Sequence, residues 1–225
     1  MKLYKAGQVP PQPHMYFVYG DGGTGKTTLF KQFKGPKVLF SFDLSTNVLR
    51  GDKDTDVVLL ERKDAPNIQA IVMEWVQGAI NSGNYRAIAL DNMSSLQNLA
   101  LENIDNAAKD NRQNYQKLQL WFRQLGTLLR EGGIDVYATA HQVDNGTAGL
   151  TGKGRYAADM NEKTFNAFTS MFDFVGRIYK EDGQRWINCD PEAGNHGKNR
   201  IDDRTQFHAE ELIEPKEAKK EQGAA

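Results

Sequence analysis

Met15-Tyr16-Phe17-Val18-Tyr19 runs directly into Gly20-Asp21-Gly22-Gly23-Thr24-Gly25-Lys26-Thr27, and Thr28-Leu29-Phe30-Lys31-Gln32-Phe33 follows. The first stretch is apolar, aromatic and β-branched, which predicts a buried strand. The second fits G-x-x-x-x-G-K-[ST], the pattern of a phosphate-binding loop. The third can open a helix. Strand, glycine loop and helix in that order are what phosphate binding needs. Glycine adopts backbone conformations closed to other residues and leaves N–H groups free to point inward. The helix N-terminus adds partial positive charge beneath the phosphates. Gly20, Asp21, Gly22, Gly23, Thr24, Gly25, Lys26, Thr27 and Thr28 are therefore the candidate nucleotide cradle. Lys26 is expected to reach the β- and γ-phosphates, and the Thr27 hydroxyl to coordinate Mg²⁺.

The bulk of the chain sets limits around this motif. Its 225 residues suffice for one sizeable α/β domain. A formal net charge of −1 gives no global basic field of the kind that announces a nucleic-acid partner, although a local basic loop can serve. The single Cys189 rules out an intramolecular disulfide and suits a reducing compartment. There is no apolar run long enough for a membrane span, and Met1-Lys2-Leu3-Tyr4-Lys5 lacks the apolar core of a signal peptide. The expected location is the cytoplasm, with no membrane partner.

Outward from the loop, strands and helices alternate. Residues 1–13 read as an extended arm, because Pro10, Pro11 and Pro13 deny helix. Strands are predicted at Lys37–Asp43, Val57–Glu61, Tyr85–Asp91 and Ile134–Ala140. Pro66 suits the first turn of a helix running to about Ile80. Two more helices are predicted at 94–108 and 112–131. In the second, Leu118, Trp121, Phe122, Leu125, Leu128 and Leu129 recur at helical spacing and Gly132-Gly133 stops the run. This alternation predicts a mostly parallel sheet flanked by helices, with ligands at the carboxyl ends of its strands. Asp43, Glu61, Asp91 and His141-Gln142 are expected to converge there. Residues 144–160 read as a long mobile loop, and 161–172 as a helix. Phe174–Lys180 and Gln184–Cys189 flank Glu181-Asp182-Gly183 and predict a C-terminal β-hairpin. The core is expected over 14–208 and a charged, disordered tail over 209–225.

Asp91 closes an apolar strand 65 residues after Lys26, the setting of a carboxylate that holds the Mg²⁺ shell; the alternative is a helix N-cap before Ser94-Ser95. Residue 92 is Asn, so no Asp-Glu pair is present to polarise water. Asp43 and Glu61 remain as candidate bases; Asp43 is favoured, the alternative for it being a capping or Mg²⁺-shell role. His141 can touch the γ-phosphate, or can be satisfied by backbone at a strand end. Lys153, Arg155 and Tyr156, set among glycines, suit single-stranded DNA through phosphate pairing and base stacking; a solvated loop is the other reading. Lys198 and Arg200 lie one residue apart on an extended segment. They can enter the phosphate site of an adjacent subunit as an arginine finger does, or form a solvated basic turn.

Taken in order, Gly20–Thr27, Asp91 with Asn92, Thr139-Ala140-His141, Gly152-Lys153, Phe172-Asp173-Phe174-Val175-Gly176-Arg177 and Lys198-Asn199-Arg200 resemble the short phage-encoded ATPases of the RecA/RadA core type. The likeness is to the Sak-four group of single-strand annealing and recombination proteins, and it covers residues from about 15 to 205. It implies a RecA-like P-loop fold and the cofactors ATP and Mg²⁺. It also implies single-stranded DNA as partner, rings or filaments with shared ATP sites, and a place beside a phage single-strand-binding protein in the host cytoplasm. Lys198 and Arg200 resemble the trans-acting Lys-x-Arg pair of RecA-type hexameric motors. One departure stands out. The family tends to carry Asp-x-Glu after the second strand, with Glu as base, but here Asp43-Leu44-Ser45 puts Ser45 in that place. Slow hydrolysis is the expectation.

Overall fold

The computed structural model describes residues 1–104, 107–146 and 154–215. Its strands are β1 (Met15–Gly20), β2 (Lys37–Ser41), β3 (Thr55–Leu59), β4 (Ala87–Asp91), β5 (Asp135–Asp144), β6 (Tyr156–Ala158), β7 (Phe174–Glu181), β8 (Gln184–Asn188), β9 (Lys198–Asn199) and β10 (Gln206–His208). Its helices are α1 (Lys26–Leu29), α2 (Ile68–Ser82), α3 (Met93–Glu102), α4 (Asn111–Glu131) and α5 (Glu162–Thr169). The sheet order is β10-β8-β7-β1-β5-β4-β2-β3, with β6 added to β5 and β9 to β7. β3, β2, β4, β5, β1 and β7 run parallel. This is the RecA-like P-loop arrangement, a mostly parallel sheet between helices with the hairpin β7–β8 on one side.

β1, β2 and β4 are buried at every residue, because helices cover the inner parallel strands on both faces. On one face Phe17, Phe40, Leu90 and Val136 meet the apolar stripes of α2–α5. Phe17 sits edge-on to Phe165 at 5.3 Å and to Phe172 at 6.0 Å. On the other face Tyr16, Val18, Leu39 and Tyr137 pack on Leu29, Phe30 and Phe33. Burying one such side chain contributes about 1.5–3 kcal/mol. In α4 the buried positions Leu118, Trp121, Phe122, Leu125 and Leu129 keep the three-and-four spacing.

Several boundaries differ from the sequence reading. The helix after the phosphate loop is one α turn followed by a 3₁₀ turn, Phe30–Gln32, and Phe33 is already extended. Gly35, at φ 80°, and Pro36 then turn the chain into β2. α3 ends at Glu102, not near 108, and the Asn103 amide donates back to the Leu99 carbonyl at 2.9 Å. The stretch 144–160 is partly ordered by β6, which pairs antiparallel with the far end of β5. The folded part also runs past 208. Ala209 and Leu212 are buried against the sheet, and Gln32 donates to the Ala209 carbonyl at 2.9 Å. The acidic residues around them hid two apolar anchors. Residues 216–225 of the expected tail lie outside the described residues. Among the described residues, no helix is long and apolar enough to cross a membrane.

Candidate nucleotide site

β1 delivers the loop. Gly20 pairs with His141 on one side and Ile178 on the other, and a Cβ at Gly20 would collide with the Ile178 carbonyl oxygen. Strand packing therefore requires this first glycine of the motif. Gly23 and Gly25 take φ values of 73° and 98°, in the left-handed region that glycine tolerates. The loop is braced from within. Thr24 Oγ1 donates to the Asp21 carbonyl at 2.8 Å. Lys26 Nζ donates to the carbonyls of Gly20 at 2.7 Å and Asp21 at 2.9 Å. Burial lowers the Lys26 pKa, opposed by Asp91, Asp21 and Asp43. Tyr137, fully buried and stacked on Phe30, donates its hydroxyl to the Lys26 carbonyl at 2.7 Å and fixes the start of α1.

The cleft above the loop is about 330 Å³ and is lined by Gly22, Gly23, Gly25, Lys26, Thr27, Thr28, Asp43, Ser45, Val48, Asp91, Asn92, His141 and Arg185. Gly20, Asp21 and Thr24 shape the loop from behind without lining the cleft. Asp91, 4% exposed, accepts from the Thr27 hydroxyl at 2.6 Å and from the Thr139 hydroxyl. Burial raises its pKa, and the two hydroxyls oppose that shift. The helix cap is not Asp91. Asn92 caps α3, its Oδ1 accepting from the Ser95 N–H at 2.9 Å. That contact turns the Asn92 Nδ2 toward Asp43 Oδ2 and, at 3.2 Å, toward His141 Nε2. An amide nitrogen only donates, so His141 Nε2 accepts and the ring proton sits on Nδ1. Asp43, Asn92 and His141 form one hydrogen-bonded row along the wall beside Asp91. Asp43 is shaped further by the Ser45 N–H, which donates to its Oδ1 at 2.9 Å.

Other expected members fall elsewhere. Glu61 lines a separate cleft beside α2, caps the 3₁₀ turn Arg62–Asn67 with Asp64, and pairs with Lys63. It is corrected out of the site because β3 is the outermost parallel strand. Lys153 lies outside the described residues. Arg155 is held by Asp144 through two contacts of 3.1 Å, and the Tyr156 ring is covered by Arg177 at 3.4 Å. Neither is free in this arrangement. Lys198 donates to the Thr169 carbonyl at 2.7 Å within its own subunit, whereas Arg200 is exposed. β9 pairs with the first residues of β7, so this pair sits at the end of the sheet where β1 begins. The residue that sequence reasoning missed is Arg185.

The donor set fits a magnesium nucleotide. Asp91 is a buried carboxylate hydrogen-bonded to neutral hydroxyls, it forms no ion pair among the described residues although Lys26 acts on it electrostatically, and Thr27 brings a hydroxyl to the same point. One or two carboxylates, a hydroxyl and the nucleotide's own phosphates are how Mg²⁺ is usually held, so a three-ligand protein cage is not required. A family model described as an AAA domain matches residues 12–201. The chain belongs to the AAA-domain family. As an AAA-domain protein with a RecA-like sheet it is a P-loop ATPase by class. Among solved structures, this AAA-domain chain is similar to a KaiC-like protein from the hyperthermophilic archaeon Pyrococcus horikoshii, at 14% identity and a TM-score of 0.45, over 79% of this chain and 78% of that one. No curated protein matches it.

Proposed function

We propose that this protein is an ATP- and Mg²⁺-dependent ATPase that binds single-stranded DNA, promotes annealing or recombination of strands, and works as a ring or filament of identical subunits. One observation carries the reading. A file of side chains leads from the phosphate loop to the segment around β6. Gln142 Nε2 donates to the Asp21 carboxylate at 3.2 Å, and Arg177 Nε donates to Gln142 Oε1 at 2.6 Å. The Arg177 guanidinium lies on the Tyr156 ring, and the neighbouring Arg155 pairs with Asp144. A nucleotide that repositions Asp21 shifts Gln142 and Arg177, and with them the cover on Tyr156. The Arg155–Asp144 pair is about half exposed and a surface ion pair of this kind holds weakly, so a nucleic-acid phosphate can compete for the arginine.

In the ATPase step Lys26, Thr27 and Asp91 would bind the triphosphate and Mg²⁺. The metal, when bound, neutralises charge on the β- and γ-phosphates. Asp43 and His141 stand where an attacking water would be oriented, with Asn92 fixing both. Ser45 supplies no carboxylate, which favours slow hydrolysis. The exposed Arg200 is the better candidate for a cation offered to a neighbouring subunit. The test is phosphate release with and without single-stranded DNA, together with DNA-binding anisotropy in ATP, ADP and no nucleotide. DNA binding that ignores nucleotide state would defeat the proposal.

A second reading is favoured by a different surface. The edge strand β3 exposes Val57 and Leu59 beside Trp75, which is 55% exposed. An apolar sheet edge invites a protein partner. On this reading ATP gates assembly or recruitment without strand pairing, and the protein would show ATP-dependent mass changes with no annealing activity.

A further inference from the structure

β1 and β7 end at different heights. β1 stops at Gly20, opposite Ile178, while β7 continues to Glu181 before turning back into β8. The turn is tight, with Asp182 at φ 50° and Gly183 at φ 76°. Lys180 and its partner Arg185 therefore stand beyond the last residue of β1, level with the phosphate loop.

Strand alternation then sets the direction of Arg185. Arg185 and Ile187 share one side of β8, and Cys189, just past its end, is buried in the same cluster as Ile187. Ile187 and Cys189 are buried in the cluster that contains Leu29 and Phe30, the residues just after the loop. Trp186 faces the other way and stacks on His208 at 3.9 Å. Arg185 thus lies over the loop. A Cβ built on Gly25 would come within 2.9 Å of its Nε. The same Nε is buried and has no hydrogen-bond partner, and Arg185 forms no ion pair among the described residues. A buried donor left unpaired costs about 1–3 kcal/mol, and more when it is charged. Native structures keep such groups where something else completes them. What lies beside this one is a cleft built for phosphates.

We propose that Arg185 binds the phosphates of the nucleotide held in its own subunit, so that the β7–β8 hairpin forms one wall of the ATP site. This rests on the ATP-site reading above. The sheet order narrows the contact. Asp43 follows β2, and Asp91 and His141 lie on β4 and β5, all on one side of β1, whereas Arg185 comes from β8 on the other. The metal-binding and water-orienting groups flank the transferred γ-phosphate. Arg185 therefore meets the α- and β-phosphates, which ATP and ADP share. Its planar fork suits paired phosphate oxygens in a way that a lysine does not.

The test is calorimetric titration of ATP and of ADP into the wild type, Arg185→Ala and Arg185→Lys. Thermal unfolding of each is recorded without nucleotide. Arg185→Ala should weaken ATP and ADP alike, on the order of ten- to hundredfold, as expected for loss of a charge-assisted hydrogen bond. Arg185→Lys should recover part of the affinity. If Arg185→Ala does not fold, Arg185→Lys carries the test, and a loss shared by ATP and ADP supports the assignment. Wild-type binding with unchanged affinity in the folded variants overturns it and leaves the site reading standing. A loss confined to ATP overturns the placement on the shared phosphates. A wild type that binds neither nucleotide overturns the site reading and this assignment with it.

Discussion

The Thr27 hydroxyl donates to the Asp91 carboxylate at 2.6 Å, joining the phosphate loop to the end of β4 across 64 residues of chain. These two residues would together hold a bound Mg²⁺, Thr27 by its hydroxyl and Asp91 in the metal's shell. Thr27→Ala should therefore keep the metal-free affinity for ATP and lose most of the gain that Mg²⁺ brings. The expected loss is about tenfold or more, measured by titrating ATP with Mg²⁺ and with chelator. An unchanged Mg²⁺ effect would place the ion elsewhere.

Lys26→Ala should weaken ATP binding by on the order of a hundredfold or more, while the nucleotide-free protein unfolds nearly as before. The lysine is buried against loop carbonyls and held as a cation at some cost, so its removal opens no apolar cavity. Calorimetry beside a urea melt separates the two effects.

Asp43→Asn should slow phosphate release roughly ten- to hundredfold with ATP affinity retained. The Asn92 amide holds Asp43 Oδ2, and an amide oxygen at position 43 keeps that contact while losing basicity. Normal turnover in this variant would remove Asp43 as the base.

Gly20→Ala should destabilise the fold by about 1–3 kcal/mol or more, because the new methyl meets the Ile178 carbonyl and prises β1 from β7. Gly22→Ala has open space around its Cβ and should leave stability nearly unchanged. Matched urea melts of the two variants check the contrast.

Lys198 gives a pH signature. Burial lowers its pKa from 10.5 to about 8, with Arg200 adding to the shift. Folding therefore bears the full penalty of the charged lysine below about pH 8. Between about 8 and 10.5 the unfolded chain binds more protons than the folded one, so stability rises with pH. Lys198→Met should lack that rise. Urea unfolding of both proteins across this window, compared as a difference, reads it directly.

What was legible in the sequence was what local pattern encodes. The strand into Gly20, the loop to Thr27, Asp91 at the close of β4 and His141 near the end of a buried strand each lie within a few residues of their own signal. What was hidden depends on pairing between distant segments. Arg185 reaches the loop only because β7 joins β1 in parallel and outruns it, a register that no window of residues displays. The alternation of Arg185, Ile187 and Cys189 was the available hint, since two apolar neighbours on its side point it toward a core. Glu61 closed a strand as Asp91 did, but β3 took the outer place. Lys198 looked like a free cation until β9 paired with β7 and brought it to the Thr169 carbonyl.

The indole of Trp186 follows Arg185 directly and rests on the His208 ring at an interplanar angle of 29°. Of the three tryptophans, Trp121 is buried on α4 and Trp75 sits exposed on α2, away from the phosphate loop. The hairpin thus carries its own optical label. With Trp75 and Trp121 replaced by phenylalanine, the remaining emission reports the packing of one stacked pair. A stopped-flow trace of that signal would then time the response of the hairpin to nucleotide without any attached dye.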